Sequence, residues 1–326
     1  MQRRHLMRAL AVAPGLTPAM ALAQSGFPQR PLTFLVPFSA GSGTDILARL
    51  VAPATAQALG TTAIIDNRGG AGGTIAVGMA LRARPDGHTL VVSGTSTVPI
   101  NRALYTSLGY DPHRELAPVA VAVTAPNALV VNATGPIRDL EALIAALRRR
   151  DNQTRYWSTG NGTSQHLSGV QLVRAVGGEA QHIPYRGPSE ALAGLLAGDT
   201  EWGFSALPAV VPLARDGRLK ILAATGMQPV SGFPEVPNLA RIGMTGFAET
   251  DIFVGLSVQR AVPPEVLAAL RQAYRTAAAQ PGMSDRLAAT GFTPAPPMSD
   301  TELEAFTDRQ VAFWAELVRE SGARIE

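Results

Sequence analysis

Val36-Pro-Phe-Ser-Ala-Gly-Ser-Gly-Thr-Asp45 joins a short apolar run, Leu32 to Pro37, to a segment with Ile46, Leu47, Leu50 and Val51 at helical core spacing. A run apolar at nearly every position is the pattern of a strand buried on both faces. The turn therefore carries the chain from the carboxyl end of a buried strand into a helix. Its Gly-Ser-Gly core lets backbone N–H groups approach a ligand with no Cβ in the way. A second stretch of the same design, Tyr156-Trp-Ser-Thr-Gly-Asn-Gly-Thr-Ser-Gln-His166, follows about half a chain later. Each turn places N–H groups at a helix N-terminus, where the peptide dipoles favour an anion. Two such turns face to face grip a carboxylate without lysine or arginine.

Around these turns the elements alternate. A strand at Thr62–Ile65, a glycine-rich turn at Asn67–Thr74 leading into a helix to Ala83, and a strand at Thr89–Ser93 complete a βαβαβ run, the signature of a parallel sheet with right-handed crossovers. Leu116 to Val123 is a β-like stretch leaving this set. A second α/β set follows from Ala128 to Phe204, and a strand at Lys220–Ala224 and the connection Phe247–Leu256 return towards the first. Val266–Gln280 and Asp300–Ser321 read as long amphipathic helices. Two crossings between lobes, near 121–124 and 249–254, define a hinge. The expected architecture is α/β: a type II-like clamshell of two domains, each a mostly parallel sheet flanked by helices. Its divisions are 1–23 as a targeting segment, 24–123 plus 253–326 as domain 1, and 124–252 as domain 2.

The targeting segment has a positive start (Arg3, Arg4, Arg8), an apolar stretch, and Ala21-Leu22-Ala23 as a cleavage site before Gln24. Arg3-Arg4 is compatible with twin-arginine as well as Sec export. The stretch is too short and too broken by Pro14 and Pro18 to anchor in a membrane, so the expected location is the periplasm. Removing three arginines and no acids takes the formal charge from +3 (28 − 25) to zero (25 − 25). The basic balance of the full chain is therefore no argument for nucleic acid. Zero cysteines exclude disulfide and zinc-thiolate chemistry.

Each candidate has a plainer alternative. Asp45 or Thr44 caps the helix, and a carboxylate at Asp45 would repel an anionic ligand. No phosphate-binding G-x-x-x-x-G-K-[ST] occurs, and Gly41-Ser-Gly43 lacks the third glycine of the dinucleotide fingerprint. The glycines of Asn67–Thr74 serve close passage of the chain past a neighbour. His166 invites a hydrolase reading, but G-x-S-x-G is absent and Ser164 is two residues away. The five histidines show no pair at metal-ligand spacing. Tyr185 and Arg186, in His182-Ile-Pro-Tyr-Arg-Gly187, end a strand facing the same cleft, where Arg186 is either a ligand contact or a solvated loop residue.

Taken in order, the blocks Pro31–Asp45, Asp66–Gly73, Arg84–Leu90, Leu104–Pro112, Ser158–Leu167, His182–Gly187 and Phe233–Pro237 closely resemble the tripartite tricarboxylate transporter substrate-binding family, the Bug proteins. The resemblance spans essentially the whole mature length. It implies a periplasmic solute-binding protein, not an enzyme and without cofactor or metal. Such a protein closes on a small carboxylated solute and delivers it to a tripartite tricarboxylate-type permease. A sensor subunit for a signalling system is the alternative, and an exported hydrolase using His166 as base a further one; a monomer that binds no nucleic acid is expected. The resemblance places the carboxylate between Phe38, Ser39, Ala40, Gly41, Ser42, Gly43 and Thr44 on one side and Ser158, Thr159, Gly160, Gly162, Thr163, Ser164 and His166 on the other. Thr95, Tyr185, Phe204 and Ser205 complete the expected contacts. Ser205 stands where the family often has an acid, which disfavours a ligand amine; Phe38 and Phe204 are the expected apolar contacts.

Overall fold

The computed structural model describes residues 26–150, 153–230 and 232–325. The expected targeting segment lies outside them. The chain runs β1 (Leu32–Val36), α1 (Gly43–Ala58), β2 (Ala63–Asn67), α2 (Thr74–Arg82) and β3 (Thr89–Gly94). One π-helical turn, Ser96–Ile100, leads into α3 (Asn101–Leu104), then α4 (Pro112–Glu115) and β4 (Leu116–Ala125). The second set is β5 (Asn127–Asn132), α5 (Leu140–Arg148), β6 (Arg155–Ser158), α6 (Ser164–Ala175), β7 (Gln181–Pro184), α7 (Pro188–Ala197), β8 (Trp202–Ala206), α8 (Leu207–Arg215) and β9 (Leu219–Ala224). Then come β10 (Ile252–Gln259), α9 (Pro264–Ala278), α10 (Met283–Ala289), β11 (Thr293–Pro294) and α11 (Asp300–Ser321).

The strands form two sheets, ordered β11-β4-β10-β3-β1-β2 and β7-β6-β8-β5-β9. Leaving β11 aside, both follow one plan: a parallel trio, one reversed strand, then a strand in the original direction. The reversed strands, β10 and β5, are those by which the chain enters each lobe. Ala125 still pairs with Ile252 in the first sheet, while Asn127 pairs with Ala206 in the second. The outward change of sheet therefore falls at Pro126, slightly later than the pattern suggested, and the return follows Asp251. Leu116–Val123 belongs to β4, hydrogen-bonded to β10 and β11 inside the first sheet.

Burial explains why the strand signals were continuous rather than alternating. Leu32, Phe34 and Val36 pack on the α1 and α9 side, while Leu35 packs with Ala76, Val77 and Val91 on the other. In the second sheet Leu129 and Val131 face one core while Ala128 and Val130 face another. Truncating a fully buried residue such as Phe34 costs about 3–5 kcal/mol.

α11 opens with a capping box between Ser299 and Glu302. It packs Trp314, Leu317 and Val318 against Leu104 of α3 and Leu167 of α6. The lobes thus meet through an apolar cluster. α8 also comes close to the first lobe: a Cβ at Gly291 would lie 3.1 Å from Val211.

Candidate functional site

The cleft lies at the carboxyl ends of the parallel strands of both sheets, where open α/β sheets place their ligands. It encloses about 700 Å³ of empty space, open solvent included. Its first wall is Phe38, Ser42, Gly43 and Thr44 from the β1–α1 turn, Gly94 to Thr97 after β3, and Ile252, Phe253 and Val254 of β10. Its second wall is Thr159, Thr163, Ser164 and Gln165 from the β6–α6 turn, with Pro188, Ser205, Ala206 and Ala209. Among the described residues the lining is hydroxyls, one amide and apolar carbon, with no Lys, Arg, His, Asp or Glu.

α1 is capped by Ser42, whose Oγ accepts from Asp45 N–H at 3.3 Å and lies 3.0 Å from Thr44 Oγ1. Neither Asp45 nor Thr44 is the cap. Asp45 is buried behind the turn, where its carboxylate accepts from Gly41 N–H (2.9 Å), Asn67 Nδ2 (3.0 Å) and Arg49 Nε (3.0 Å). Burial raises its pKa, but the hydrogen bonds from Arg49, Gly41 and Asn67 outweigh that and hold the carboxyl below its usual range. An ionised Asp45 thus braces the turn without facing the cleft. The first N–H groups of a helix have no intrahelical acceptor, so those of Gly43 and Thr44 are left at the cleft wall.

The second turn is built the same way with different parts. Thr163 caps α6 by accepting from His166 N–H at 3.3 Å and also donates to Gly160 O at 2.8 Å. Gly160 and Gly162 take φ of +131° and +73°, values that only glycine adopts freely. Beneath the turn four rings form a column. His166 stacks on His182 (4.1 Å between centroids), His182 on Tyr156 (4.9 Å) and Tyr156 on Trp202 (4.8 Å). His166 Nδ1 accepts from Gly162 N–H at 3.1 Å, and Ser158 Oγ lies 2.7 Å from His182 Nε2. Burial pushes the His166 pKa down to about 4; burial, then the neighbouring His166, push His182 down to about 3. Both rings are neutral supports that hold the turn from below.

The expected contacts are therefore divided. Phe38, Ser42, Gly43, Thr44, Thr95, Thr159, Thr163, Ser164 and Ser205 line the cleft. Ser39, Ala40 and Gly41 form an exposed rim. Ser158, Gly160, Gly162 and His166 shape the second turn without lining the cleft. Tyr185 packs over Gly194 of α7, and Arg186 is exposed with its N–H on Glu190. Phe204 is a correction. It is fully buried against Trp202 and Phe247, because alternation along β8 turns it inward when Ser205 faces the cleft. The apolar contacts come instead from Phe38, Ile252, Phe253 and Val254. The hydrolase arrangement is not assembled: His166 bonds a backbone N–H, and Ser158 is 0% exposed.

Sequence reasoning missed Ser96, Thr97, Gln165 and the β10 residues. Thr95 accounts for the last: it accepts from Phe253 N–H through Oγ1 at 2.8 Å and donates its own N–H to Phe253 O at 3.1 Å. β10 is thereby held against the turn after β3.

Residues 47–323 match the model of the tripartite tricarboxylate transporter family receptor. A Cupriavidus necator protein, described as a UPF0065 protein in the gbd 5' region, is 32% identical over all of this chain and 98% of its own. The solved structure of R. palustris Rpa4515 with adipate superposes with a TM-score of 0.86 at 28% identity, covering 92% of this chain and all of that one. MatC of Rhodopseudomonas palustris with bound malate gives 0.83 at 28% identity, covering 90% of this chain and all of that one. The chain belongs to the tripartite tricarboxylate transporter receptor family, the Bug proteins, and is a two-domain solute-binding receptor rather than an enzyme.

Proposed function

We propose that the protein captures a small carboxylate between its lobes in the periplasm and delivers it to a tripartite tricarboxylate-type permease. The observation that carries this reading is the pair of capped helix N-termini, α1 and α6, on opposite walls of a cleft that has no charged side chain among the described residues. Closure brings both sets of N–H groups to one anion, so binding shifts the population towards the closed form. Residues 1–23 act as the export signal.

Magnitudes set what else is needed. A micromolar dissociation constant corresponds to about −8 kcal/mol, and a partly buried helix N-terminus supplies about 2 kcal/mol at most. Hydroxyl groups such as those of Ser42, Ser96 and Ser164 and apolar contact with Phe38 and Phe253 supply the remainder as water leaves. With no carboxylate in the lining, an ammonium group would be buried without a counter-charge. The favoured ligand is thus a carboxylic acid without an amine, such as the adipate and malate held by the related structures.

Thermal unfolding of residues 24–326 with adipate, malate, aspartate and the corresponding amides tests this. A ligand at a hundred times its dissociation constant stabilises by about 2.7 kcal/mol. One of the two amine-free acids should raise Tm while its amide does not. An aspartate shift larger than that of either acid, or equal shifts from acids and amides, would overturn the reading.

A further inference from the structure

Most hydroxyls that line the cleft are already committed within the protein. Thr95 Oγ1 accepts from Phe253 N–H at 2.8 Å, and Thr97 Oγ1 donates to Gly94 O at 3.2 Å while accepting from Gly94 N–H at 2.9 Å. Thr163 donates to Gly160 O at 2.8 Å and Thr159 to Gln165 Oε1 at 3.0 Å. Ser42 Oγ and Thr44 Oγ1 bond each other at 3.0 Å, and Ser205 Oγ turns onto Ala206 O at 3.4 Å. Only Ser96 and Ser164 have hydroxyls with no hydrogen bond among the described residues. Ser164 is 1% exposed and is the first residue of α6, so its hydroxyl is buried beside the free N–H groups of that helix. Those of Gly43 and Thr44 lie on the opposite wall. The uncommitted donors are thus gathered at the two turns.

The other end of the cleft is built differently. In the first sheet β10 lies two strands from β1, and in the second β8 lies beside β6. At the usual strand spacing this sets the β10 lining about 10 Å, and the β8 lining about 5 Å, to the side of the two turns. Ile252 pairs with Ala125 and Ala206 with Asn127, so the crossing at Pro126 holds both at one end. The lining there is Ile252, Phe253, Val254, Ala206 and Ala209. α8 also begins at this end, but it does not repeat the anion-binding turns. Its cap is Ala206, its Leu207 N–H is taken by Pro126 O at 3.1 Å, and Pro208 has no N–H to offer.

We propose that the solute is a monocarboxylate with an apolar body, its carboxylate between the α1 and α6 N-termini and its body directed to the Pro126 crossing. The inference rests on the reading of the cleft as a carboxylate site. Ser96 follows β3, the strand between β1 and β10, so its free hydroxyl is placed to meet one neutral polar group midway along the body. A second carboxylate has two poor choices. It stays at the cleft mouth and draws the body away from the apolar end, or it is buried there with no cationic side chain among the described residues to meet it. Diacids such as adipate and malate therefore enter, but more weakly than a monoacid of the same length.

Calorimetric titration of residues 24–326 at pH 7.5 with hexanoate, adipate and hexanamide, which share one chain length, tests this. Hexanoate should bind more tightly than adipate by about tenfold or more, and hexanamide should bind weakest. Ala209→Lys, at a partly buried position in the first turn of α8, brings an ammonium group to the apolar end and should reverse the order of the two acids. Adipate as tight as hexanoate in the parent, or tighter, overturns the monocarboxylate assignment and leaves the receptor reading standing. A hexanoate preference that Ala209→Lys leaves unchanged overturns the orientation of the body. If neither acid binds better than hexanamide, the proposal and the carboxylate reading beneath it both fail.

Discussion

Lowering pH from 7 to 5 should destabilise the fold through the ring column under the second turn. His166 and His182 are neutral when folded, with pKa values near 4 and 3, but take protons at about 6.5 once unfolded. The unfolded state then binds more protons, so stability falls as pH drops below 6.5. Each ring loses about 1.4 kcal/mol per pH unit, so by pH 5 the two lose about 4 kcal/mol together. Asp251 acts in the opposite sense. Its folded pKa near 6 exceeds the ordinary 3.8, so it returns about 1.4 kcal/mol between pH 6 and 5. The net loss is about 2–3 kcal/mol. Asp45, Asp111 and Asp300, held low by their partners, lose their contribution as pH falls below the ordinary 3.8, outside this window. Urea denaturation at pH 7 and 5 measures the difference. His166→Gln should fall by about 2 kcal/mol less than the parent, because one titrating ring is gone. Asp251→Asn should fall by about 1.4 kcal/mol more. Equal falls in parent and His166→Gln, or a parent with no fall, would refute the reasoning.

Other perturbations address the two turns and the lining. Asp45→Ala strands Gly41 N–H and the Asn67 amide behind the first turn; it should lower stability by about 2–4 kcal/mol in urea titrations and weaken binding of the acid that raises Tm more than tenfold by calorimetry. Gly162→Ala puts a Cβ 1.7 Å from Leu104 Cδ2 at φ +73°. Backbone strain and overpacking together predict a loss of about 2–5 kcal/mol, and Leu104→Ala in the same chain should recover part of it if the collision is the cause. Ser205→Asp places a carboxylate in the uncharged lining; acid binding should fall at least a hundredfold at pH 7.5, and unchanged affinity would remove Ser205 from the ligand's surroundings.

Much of this arrangement is written in local chemistry. The apolar run before Pro37 and the glycines after it specify strand, turn and helix, and Thr163 three residues before His166 has the spacing of a cap. α11 carries its own start signal in Ser299 and Glu302. What local pattern does not carry is orientation. His166 sits in a promising turn, yet its ring points down because His182 from a neighbouring strand offers a stacking partner. Phe204 is excluded from the cleft by strand alternation, a signal present in Trp202-Gly-Phe-Ser-Ala206 but masked by the apolar character of the whole run. Ser96 and Thr97 reach the cleft through a π-helical turn, and Phe253 through pairing across 158 residues with Thr95. Those contacts depend on sheet order, which no short window of sequence contains.

The central claim is that a carboxylate is held by N–H groups of two opposed helix N-termini. The most direct measurement is a titration of 15N-labelled protein at pH 7.5 with whichever of adipate or malate raises its Tm, following every backbone amide. The account predicts the largest downfield proton shifts at Gly43 and Thr44 on one wall and at Ser164 and Gln165 on the other, saturating together. Shifts confined to one wall, or centred on arginine-bearing surfaces outside the cleft, would contradict it.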